Sequence, residues 1–394
     1  MITFGSVCSG IDAASVALNP LKFQAIWFSE IEKAPIKVLE KHYPNVQNLG
    51  DMKQIPKKIL EKEIQIPNIL FGGTPCQAFS LAGLRNSLDD ERGSLTLAFV
   101  DIVKAMDTIT SQNQKPKSTI VWENVEGVLS DSQNAFGCFL AGLLNEQEPK
   151  RPSQFNYKWK TWGDNGFFKN EHREVAWRIL DAKYFGLPQQ RKRVFVISTD
   201  RKYSASEILG LSENMKQGCG SLYESYKGVD LKFEKDGHSF VAFRDYTDCL
   251  YSAYGTKWNG NAASVNGSLF VAQNDRLRRL SPIECERLMG FPTNYTLVDG
   301  VSDTNRYKML GNSWAIPVIK WLGYRLIRIL FLDYLWYIDS NLMNIGNHIR
   351  IQDIVDVDCD EKFYISRKAK DGMLSRDKKY KRKTNIKVLT YIVS

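Results

Sequence analysis

No Cys-x-x-Cys pair occurs anywhere in this sequence. The seven cysteines stand at positions 8, 76, 138, 219, 249, 285 and 359, and the four histidines at 42, 172, 238 and 348 are equally scattered. An odd, dispersed set of cysteines argues against a disulfide framework and fits a reducing compartment. Without a local His/Cys grouping, no metal site is expected. Long hydrophobic runs are missing too. Met1 leads into a strand-like stretch rather than a basic, then apolar, leader. The most apolar region, residues 314–338, is broken by Lys320, Arg325, Arg328 and Asp333. That is too many charges for a spanning helix, so no membrane association is expected. Excess positive charge is confined to one place. The formal charge is +9, yet residues 361–387 alone carry eleven Lys or Arg against three Asp or Glu. The remainder is close to neutral, so basicity by itself says little about nucleic acid.

What is present is a chain of 394 residues, 43% hydrophobic and 25% charged, long enough for two domains or one large domain with an insertion. Short apolar runs alternate with helical stretches. Strands are expected at residues 3–8, 23–28, 69–71, 119–122 and 194–198, and helices at 12–19, 35–42 and 95–108. Such alternation implies parallel βαβ units in a doubly wound α/β sheet. From about residue 199 to 274 the periodicity weakens and Gly, Ser, Asn and Tyr become frequent, which suggests a separate loop-rich unit. A helix is expected at 282–289, a loop or helix start at 311–317, and a helix on to about residue 331.

Several segments carry the residue types of a reactive site. Phe4-Gly5-Ser6-Val7-Cys8-Ser9-Gly10-Ile11-Asp12 reads as a strand, a tight glycine turn and a helix start, where nucleotide-like ligands bind in open sheets. Glu30 lies some twenty residues on, at the end of the second strand, suited to accept from ribose hydroxyls. Asp51 ends the next unit and can hold an adenine amino group. Gly72-Gly73-Thr74-Pro75-Cys76-Gln77-Ala78-Phe79-Ser80 follows a buried strand. A lone cysteine is usually a small buried hydrophobe, but on a Gly-Pro loop at the ligand edge it reads as a nucleophile. Glu123-Asn124-Val125 should reach the same edge, and Arg191 and Arg193 alternate beside a further strand.

In order, spacing and identity these segments resemble the C5-cytosine DNA methyltransferase family, most closely its phage and prophage branch. The matching elements are Pro-Cys-Gln at 75–77, Glu-Asn-Val at 123–125, Gln-x-Arg-x-Arg at 189–193, the block Arg279 to Pro292, and Gly311-Asn312-Ser313. One departure stands at Asp12 and Ala13, where the family's opening motif carries paired glycines. The resemblance covers about residues 1–325. It implies a Rossmann-like, S-adenosylmethionine-dependent methyltransferase sheet with a smaller target-recognition domain. The expected layout is a catalytic domain over residues 1–199 and 305–332, target recognition and hinge over 200–304, and a basic extension over 333–394.

The resemblance also assigns roles. Cys76 adds to carbon 6 of a cytosine flipped out of double-stranded DNA, Glu123 bonds ring nitrogen 3, and Arg191 and Arg193 hold the exocyclic oxygen. Cys8, Ser9, Gly10, Ile11, Glu30, Ile31, Asp51, Met52, Pro75, Leu95, Asn312 and Trp314 are expected to line the S-adenosylmethionine pocket, and residues 79–93 form a lid with Arg85 and Arg92 near phosphates. It further implies a monomer in the cytoplasm of a bacterial or phage-infected cell. For Ile11 and Leu95, plain core packing competes with the cofactor role. Three rivals remain at this stage: a tRNA cytosine methyltransferase of the same fold, a relative that binds without catalysis, and a nicotinamide dehydrogenase, against which the incomplete Gly-x-Gly-x-x-Gly counts.

Overall fold

The computed structural model describes residues 1–75, 93–130, 134–147, 150, 162–212, 233–235, 238–240, 247–255, 270–273 and 276–330. Eight strands form one sheet: β1 (Ile2–Val7), β2 (Phe23–Ser29), β3 (Gln47–Asn48), β4 (Ile69–Gly72), β5 (Thr119–Asn124), β6 (Asn165–Lys169), β7 (Arg173–Asp181) and β8 (Lys192–Asp200), in the order β3-β2-β1-β4-β5-β8-β7-β6. Strands β1 to β5 run parallel. Their central members are buried along nearly their whole length, as expected where helices cover both faces. The order reverses between β1 and β4, and in open α/β sheets the crevice at such a reversal takes the ligand.

The expected parallel units are present in β1 to β5, and beyond them the sheet becomes mixed. Strand β8 runs antiparallel to β5, and β7 and β6 continue antiparallel. The consequence is functional: in an antiparallel neighbour the start, not the end, of β8 lies beside the end of β5. Strand β7 escapes a sequence reading because Arg173, Glu174 and Arg178 look solvent-directed. All three are buried. Arg173 is accommodated by a two-pronged pairing with Asp107, in which its Nε donates to Oδ2 at 2.9 Å, the geometry that makes a buried guanidinium tolerable.

Helices α1 (Ala13–Leu18) and α2 (Lys33–His42) follow β1 and β2; α3 (Ile55–Leu60), α4 (Gly93–Gln112) and α5 (Ala135–Leu143) cover the opposite face. There Ile55, Phe99, Met106, Phe136 and Leu140 are buried to within 1%, each worth roughly 1.5–3 kcal/mol on burial. Beyond β8 come α6 (Ala205–Ile208), two short antiparallel pairs, β9 (Phe233–Lys235) with β10 (His238–Phe240) and β11 (Phe270–Gln273) with β12 (Arg276–Arg279), and then α7 (Pro282–Met289), α8 (Asp303–Asn312) and α9 (Ile316–Leu330). Helix α9 buries Val318, Ile319, Leu322 and Leu326 as one stripe. A Cβ at Gly323 would meet Leu18 Cδ2 at 2.4 Å, so this glycine lets α9 lie directly on α1. Among the described residues no helix is long and apolar enough to cross a membrane.

Packing with the sheet does not stop at residue 200, where a separate unit was expected to begin. Ala205, Ile208 and Leu209 join the core cluster that also holds α1 and α9, and Arg325 Nε donates to the Ile208 carbonyl at 2.6 Å. Cys285, Leu288, Met289, Phe291 and Tyr295 belong to the same cluster. These segments are too short and irregular for periodicity to reveal their burial. Helix α8, unassigned from sequence ahead of residue 311, starts at the Ser302 cap, whose hydroxyl accepts from Asn305 N at 3.3 Å.

Candidate active site

At the end of β1 the chain turns through three left-handed residues, Cys8 (φ 49°), Gly10 (φ 56°) and Asp12 (φ 48°). Asp12 thus occupies a conformation that glycine adopts freely and that aspartate tolerates better than most side chains. Its carboxylate accepts from Ser15 N at 3.0 Å and caps α1, offsetting the strain. Where the resemblance expects a glycine, Asp12 thus takes the left-handed conformation and caps the helix that follows. Burial pushes the Asp12 carboxyl up to about 6, against hydrogen bonds from Ser15 and Ser6. Ser9 ties the turn to β2, its hydroxyl donating to Ser6 O at 2.9 Å and accepting from Ser29 N at 3.1 Å.

Glu30 has a task additional to the one expected. Its carboxylate accepts from the backbone N–H groups of Gly10 at 2.7 Å and of Ile31 and Glu32 at 2.8 Å each, fastening the β1 turn to the start of α2. Asp51 is exposed and accepts from Lys53 N at 3.0 Å. Cys8 lies between these acids, 3.6 Å from Met52 Sδ. Burial first, then the charges of Glu30 and Asp51, push its thiol up to about 12, so Cys8 is no nucleophile at neutral pH. Ile31 is 70% exposed beside them. Two carboxylates with acceptor capacity next to an exposed apolar side chain fit a nucleoside, with its ribose hydroxyls and flat base. Ile11 is buried and its carbonyl accepts from the Tyr295 hydroxyl at 2.9 Å, and Met52 is also in the core. Leu95 is half-buried against the second core cluster. Asn312 is exposed at the end of α8, and Trp314 is half-buried with its ring 6.0 Å from that of Phe71.

Across the reversal point, β4 delivers Gly73, Thr74 and Pro75. Thr74 is buried within a polar cluster, its hydroxyl accepting from Trp122 Nε1 at 3.1 Å and lying 3.3 Å from Thr96 Oγ1. Asn124 Nδ2 donates to the Thr74 carbonyl at 2.9 Å. Neither Thr74 nor Asn124 was singled out from sequence; their adjacency to Cys76 and Glu123 was the available signal. Pro75 is exposed. Cys76 and the lid residues 79–92, with Arg85 and Arg92, lie outside the described residues.

Glu123 is the penultimate residue of β5 and is 7% exposed. Arg193, brought to this edge by the antiparallel β8, pairs with it, Nε to Oε1 at 3.0 Å. Burial pushes the Glu123 carboxyl up; Arg193, Arg191 and hydrogen bonds from Trp314 and Arg193 oppose this without cancelling it. The Glu123 carboxyl is thereby held above its ordinary range, which favours the protonated form relative to an exposed glutamate. Burial works against the Arg193 charge too, but Glu123, Cys249 and Glu126 together outweigh it and hold the guanidinium above its ordinary range.

Arg191 departs from its expected place among base-contacting groups. It is 2% exposed, and its Nη atoms donate to Leu250 O at 2.8 Å, Gly311 O at 3.0 Å, Ser313 O at 2.6 Å and Cys249 Sγ at 3.2 Å. Its terminal donors are thereby committed to backbone and sulfur, so it ties three chain segments together beneath the site. Burial, then the neighbouring Arg193, push its guanidinium down to about 10, which still leaves it charged at neutral pH.

Comparison with known proteins identifies the family. The family model described as C-5 cytosine-specific DNA methylase matches residues 2–219 and 251–328. A protein of Escherichia phage P1 named DNA N-6-adenine-methyltransferase is 34% identical over 461 aligned residues, covering 83% of this chain and 61% of that protein. The chain therefore spans about three fifths of that relative's length. Type II methyltransferase M1.ScrFI of Lactococcus lactis subsp. cremoris is 29% identical, covering 78% of this chain and 73% of that protein. M.HpaII of Haemophilus parainfluenzae is 25% identical, with 82% and 89% covered. Among solved structures, the S. pombe Dnmt2 methyltransferase superposes with a TM-score of 0.56 at 18% identity, covering 83% of this chain and 99% of that one, a likeness of fold.

Proposed function

This chain belongs to the C-5 cytosine-specific DNA methylase family, and from that membership we propose that it transfers a methyl group from S-adenosylmethionine to carbon 5 of a cytosine flipped out of double-stranded DNA, through a covalent bond between Cys76 and carbon 6. The observation that carries the reading is the buried Glu123–Arg193 pair at the sheet edge where Thr74 and Pro75 lie, Pro75 preceding Cys76 in sequence. Carbon 5 of cytosine is too weak a nucleophile to attack unaided. Addition of the Cys76 thiolate to carbon 6 pushes an electron pair toward nitrogen 3 and leaves an enamine that is nucleophilic at carbon 5. A protonated Glu123 hydrogen-bonds nitrogen 3 and offsets the charge that gathers there, while Arg193 fixes the carboxyl and faces the exocyclic oxygen. Bound S-adenosylmethionine supplies an electrophilic methyl group on a sulfonium. Removal of the carbon 5 proton then returns the electron pair to expel Cys76. Extruding the base from the stack costs a few kcal/mol.

Glu30 and Asp51 would hold the cofactor's ribose and adenine, Ile31 would cover the adenine face, and Cys8, Ser9 and Gly10 would shape the turn behind it, with Pro75, Leu95, Asn312 and Trp314 on the far side. Sequence choice is assigned to the stretch between the sheet domain and α7, from about residue 213 to 280; the family match lapses over 220–250, as suits a part that differs among relatives. The basic segment 361–387, outside the described residues, would add phosphate contacts without taking part in chemistry.

The adenine named for the phage P1 relative gives a second reading. An exocyclic amine does not need its ring activated by a thiol adduct, so Pro75-Cys76 and the Glu123–Arg193 pair favour cytosine. The test is incubation with labelled S-adenosylmethionine and either DNA, DNA containing 5-fluorocytosine, or tRNA, followed by analysis of the modified base. Label in 5-methylcytosine from DNA, and a denaturation-resistant complex on the fluorinated DNA that vanishes in Cys76→Ala, are expected. Label in N6-methyladenine, or in tRNA alone, would overturn the proposal.

A further inference from the structure

Cys249 stands at the same edge as the Glu123–Arg193 pair. The Cys249 sulfur accepts from Arg191 Nη1 at 3.2 Å and from Arg193 Nη2 at 3.5 Å, and it lies 3.4 Å from the Leu250 carbonyl, to which its own hydrogen points. A thiol offers one donor and a sulfur that accepts weakly, and here both capacities are engaged. The strand of chain carrying it is pinned to the segment it touches. Thr247 N donates to Pro188 O at 2.7 Å, Gln190 N to Thr247 O at 2.8 Å, and Leu250 N to Gln189 Oε1 at 2.9 Å, with Leu250 fully buried.

Arg193 depends on that sulfur. Its Nε faces Glu123 and its Nη1 donates to Lys192 O at 2.8 Å, which leaves Nη2 to Cys249. A guanidinium is a rigid plane, so holding Nη2 fixes the direction of Nε. Glu126, just beyond β5 and partly exposed, acts on the same guanidinium from outside and pairs with Lys192 at 3.6 Å. Among the described residues, the charged groups around the Glu123 carboxylate are thus Arg193 of β8 and Arg191 just before that strand, with Glu126 competing for the first and the Trp314 indole donating from the turn before α9.

We propose that Cys249 is a positioning residue for methyl transfer: its sulfur holds the Arg193 plane on Glu123 and, through Arg191, joins that pair to the Gly311–Ser313 turn. This rests on the role given to Glu123 in the proposed reaction.

Serine and alanine have nearly the same volume, but only serine keeps a donor and lone pairs. Single-turnover methyl transfer to DNA across pH, with full-length protein, separates the two. Cys249→Ala is expected to slow transfer on the order of tenfold to a hundredfold, as a displaced catalytic group does. It should also move the Glu123 limb of the pH–rate profile to higher pH, because burial is then less opposed by Arg193. That limb is identified as the one absent from Glu123→Gln. Cys249→Ser is expected to restore both rate and limb, with S-adenosylmethionine affinity the same in all three proteins. If Cys249→Ala does not fold, Cys249→Val fills the volume without a lone pair and the same comparison holds. A variant lacking the acceptor that keeps the wild-type rate and limb overturns the inference, and so does a serine variant as impaired as alanine. A wild-type chain that methylates no cytosine overturns the proposed reaction and this inference together; a methylating wild type with an unaffected Cys249→Ala overturns the inference alone.

Discussion

Arg191 reaches across the sheet edge to the Ser313 carbonyl at 2.6 Å, a hydrogen bond between residues 122 positions apart in sequence. With the bonds to Gly311 and Leu250, it makes one guanidinium the joint between β8, the 249–250 loop and the turn before α9. Lysine has the charge but not the fork. Arg191→Lys should therefore act on stability, costing about 3–5 kcal/mol as for a broken buried charged network, and should weaken cofactor binding through the 311–314 turn. Arg193→Lys should instead leave the melting temperature nearly unchanged and cut kcat on the order of a hundredfold. Thermal melts beside steady-state kinetics decide. Equal effects of the two variants on Tm and kcat would contradict the separate tasks given to them.

The bond from Asn124 to the Thr74 carbonyl carries a similar argument for the nucleophile loop. Asn124→Ala leaves a buried carbonyl without its donor, a loss of about 1–3 kcal/mol. Two residues before Cys76, it should also lower kcat well beyond the loss in DNA affinity. Binding measured by anisotropy and turnover measured on the same DNA give the ratio. A matched decline in both would make Asn124 a general stability residue.

Asp12 predicts a pH dependence of folding. Its carboxyl is raised from 3.8 to about 6 in the fold by burial. The native state therefore binds more protons than the unfolded state in that interval, and stability falls as pH rises from about 4 to about 6. At about 1.4 kcal/mol per unit the contribution is on the order of 3 kcal/mol. Asp12→Asn keeps the cap and tolerates the left-handed backbone while losing the titration. Urea unfolding from pH 4 to 7 should show a flatter profile than wild type. Asp12→Gly, which relaxes φ but loses the cap, should retain little of that slope as well. A wild-type profile that rises over this range would show that the carboxyl is not raised.

These contrasts mark how far the sequence could be read. The parallel half of the sheet was legible because its strands are buried on both faces and written as unbroken apolar runs, such as Ile69-Leu70-Phe71. The turn at Gly10, the Thr74-Pro75 approach and Glu123 at a strand end were legible as motifs placed after such runs. The direction of β8 was not, since a strand's hydrophobic pattern is the same read up or down the sheet. That direction decides whether Arg193 meets Glu123. Strand β7 was hidden because Arg173 pays its desolvation through Asp107, 66 residues away. Arg191 shared the alternation of Arg193, and only tertiary contacts divide a clamp from a site residue. Cys249 and Gln189 act through neighbours remote in sequence, which no local pattern encodes.

Gly73 brings the backbone close to both Trp314 and Glu123. A Cβ built there would lie 3.1 Å from Trp314 Nε1 and 3.5 Å from Glu123 Oε2, the first tighter than ordinary van der Waals contact. Gly73→Ala should therefore displace the indole by a few tenths of an ångström and disturb the carboxylate that it faces. Because the strain falls on the site rather than on the core, the expected result is a loss in kcat on the order of tenfold to a hundredfold with a Tm shift of only a few degrees. Trp314→Phe removes the indole nitrogen and its hydrogen bond to Glu123, so alone it should raise the pH of the Glu123 limb. Combined, the two changes should cost less than their sum, since the clash of the first is with an atom that the second deletes. Measuring kcat for the wild type, both single variants and the double variant closes the cycle. Strict additivity would show that Gly73 and Trp314 act on the carboxylate independently, and the close approach would then have no part in setting the geometry of Glu123.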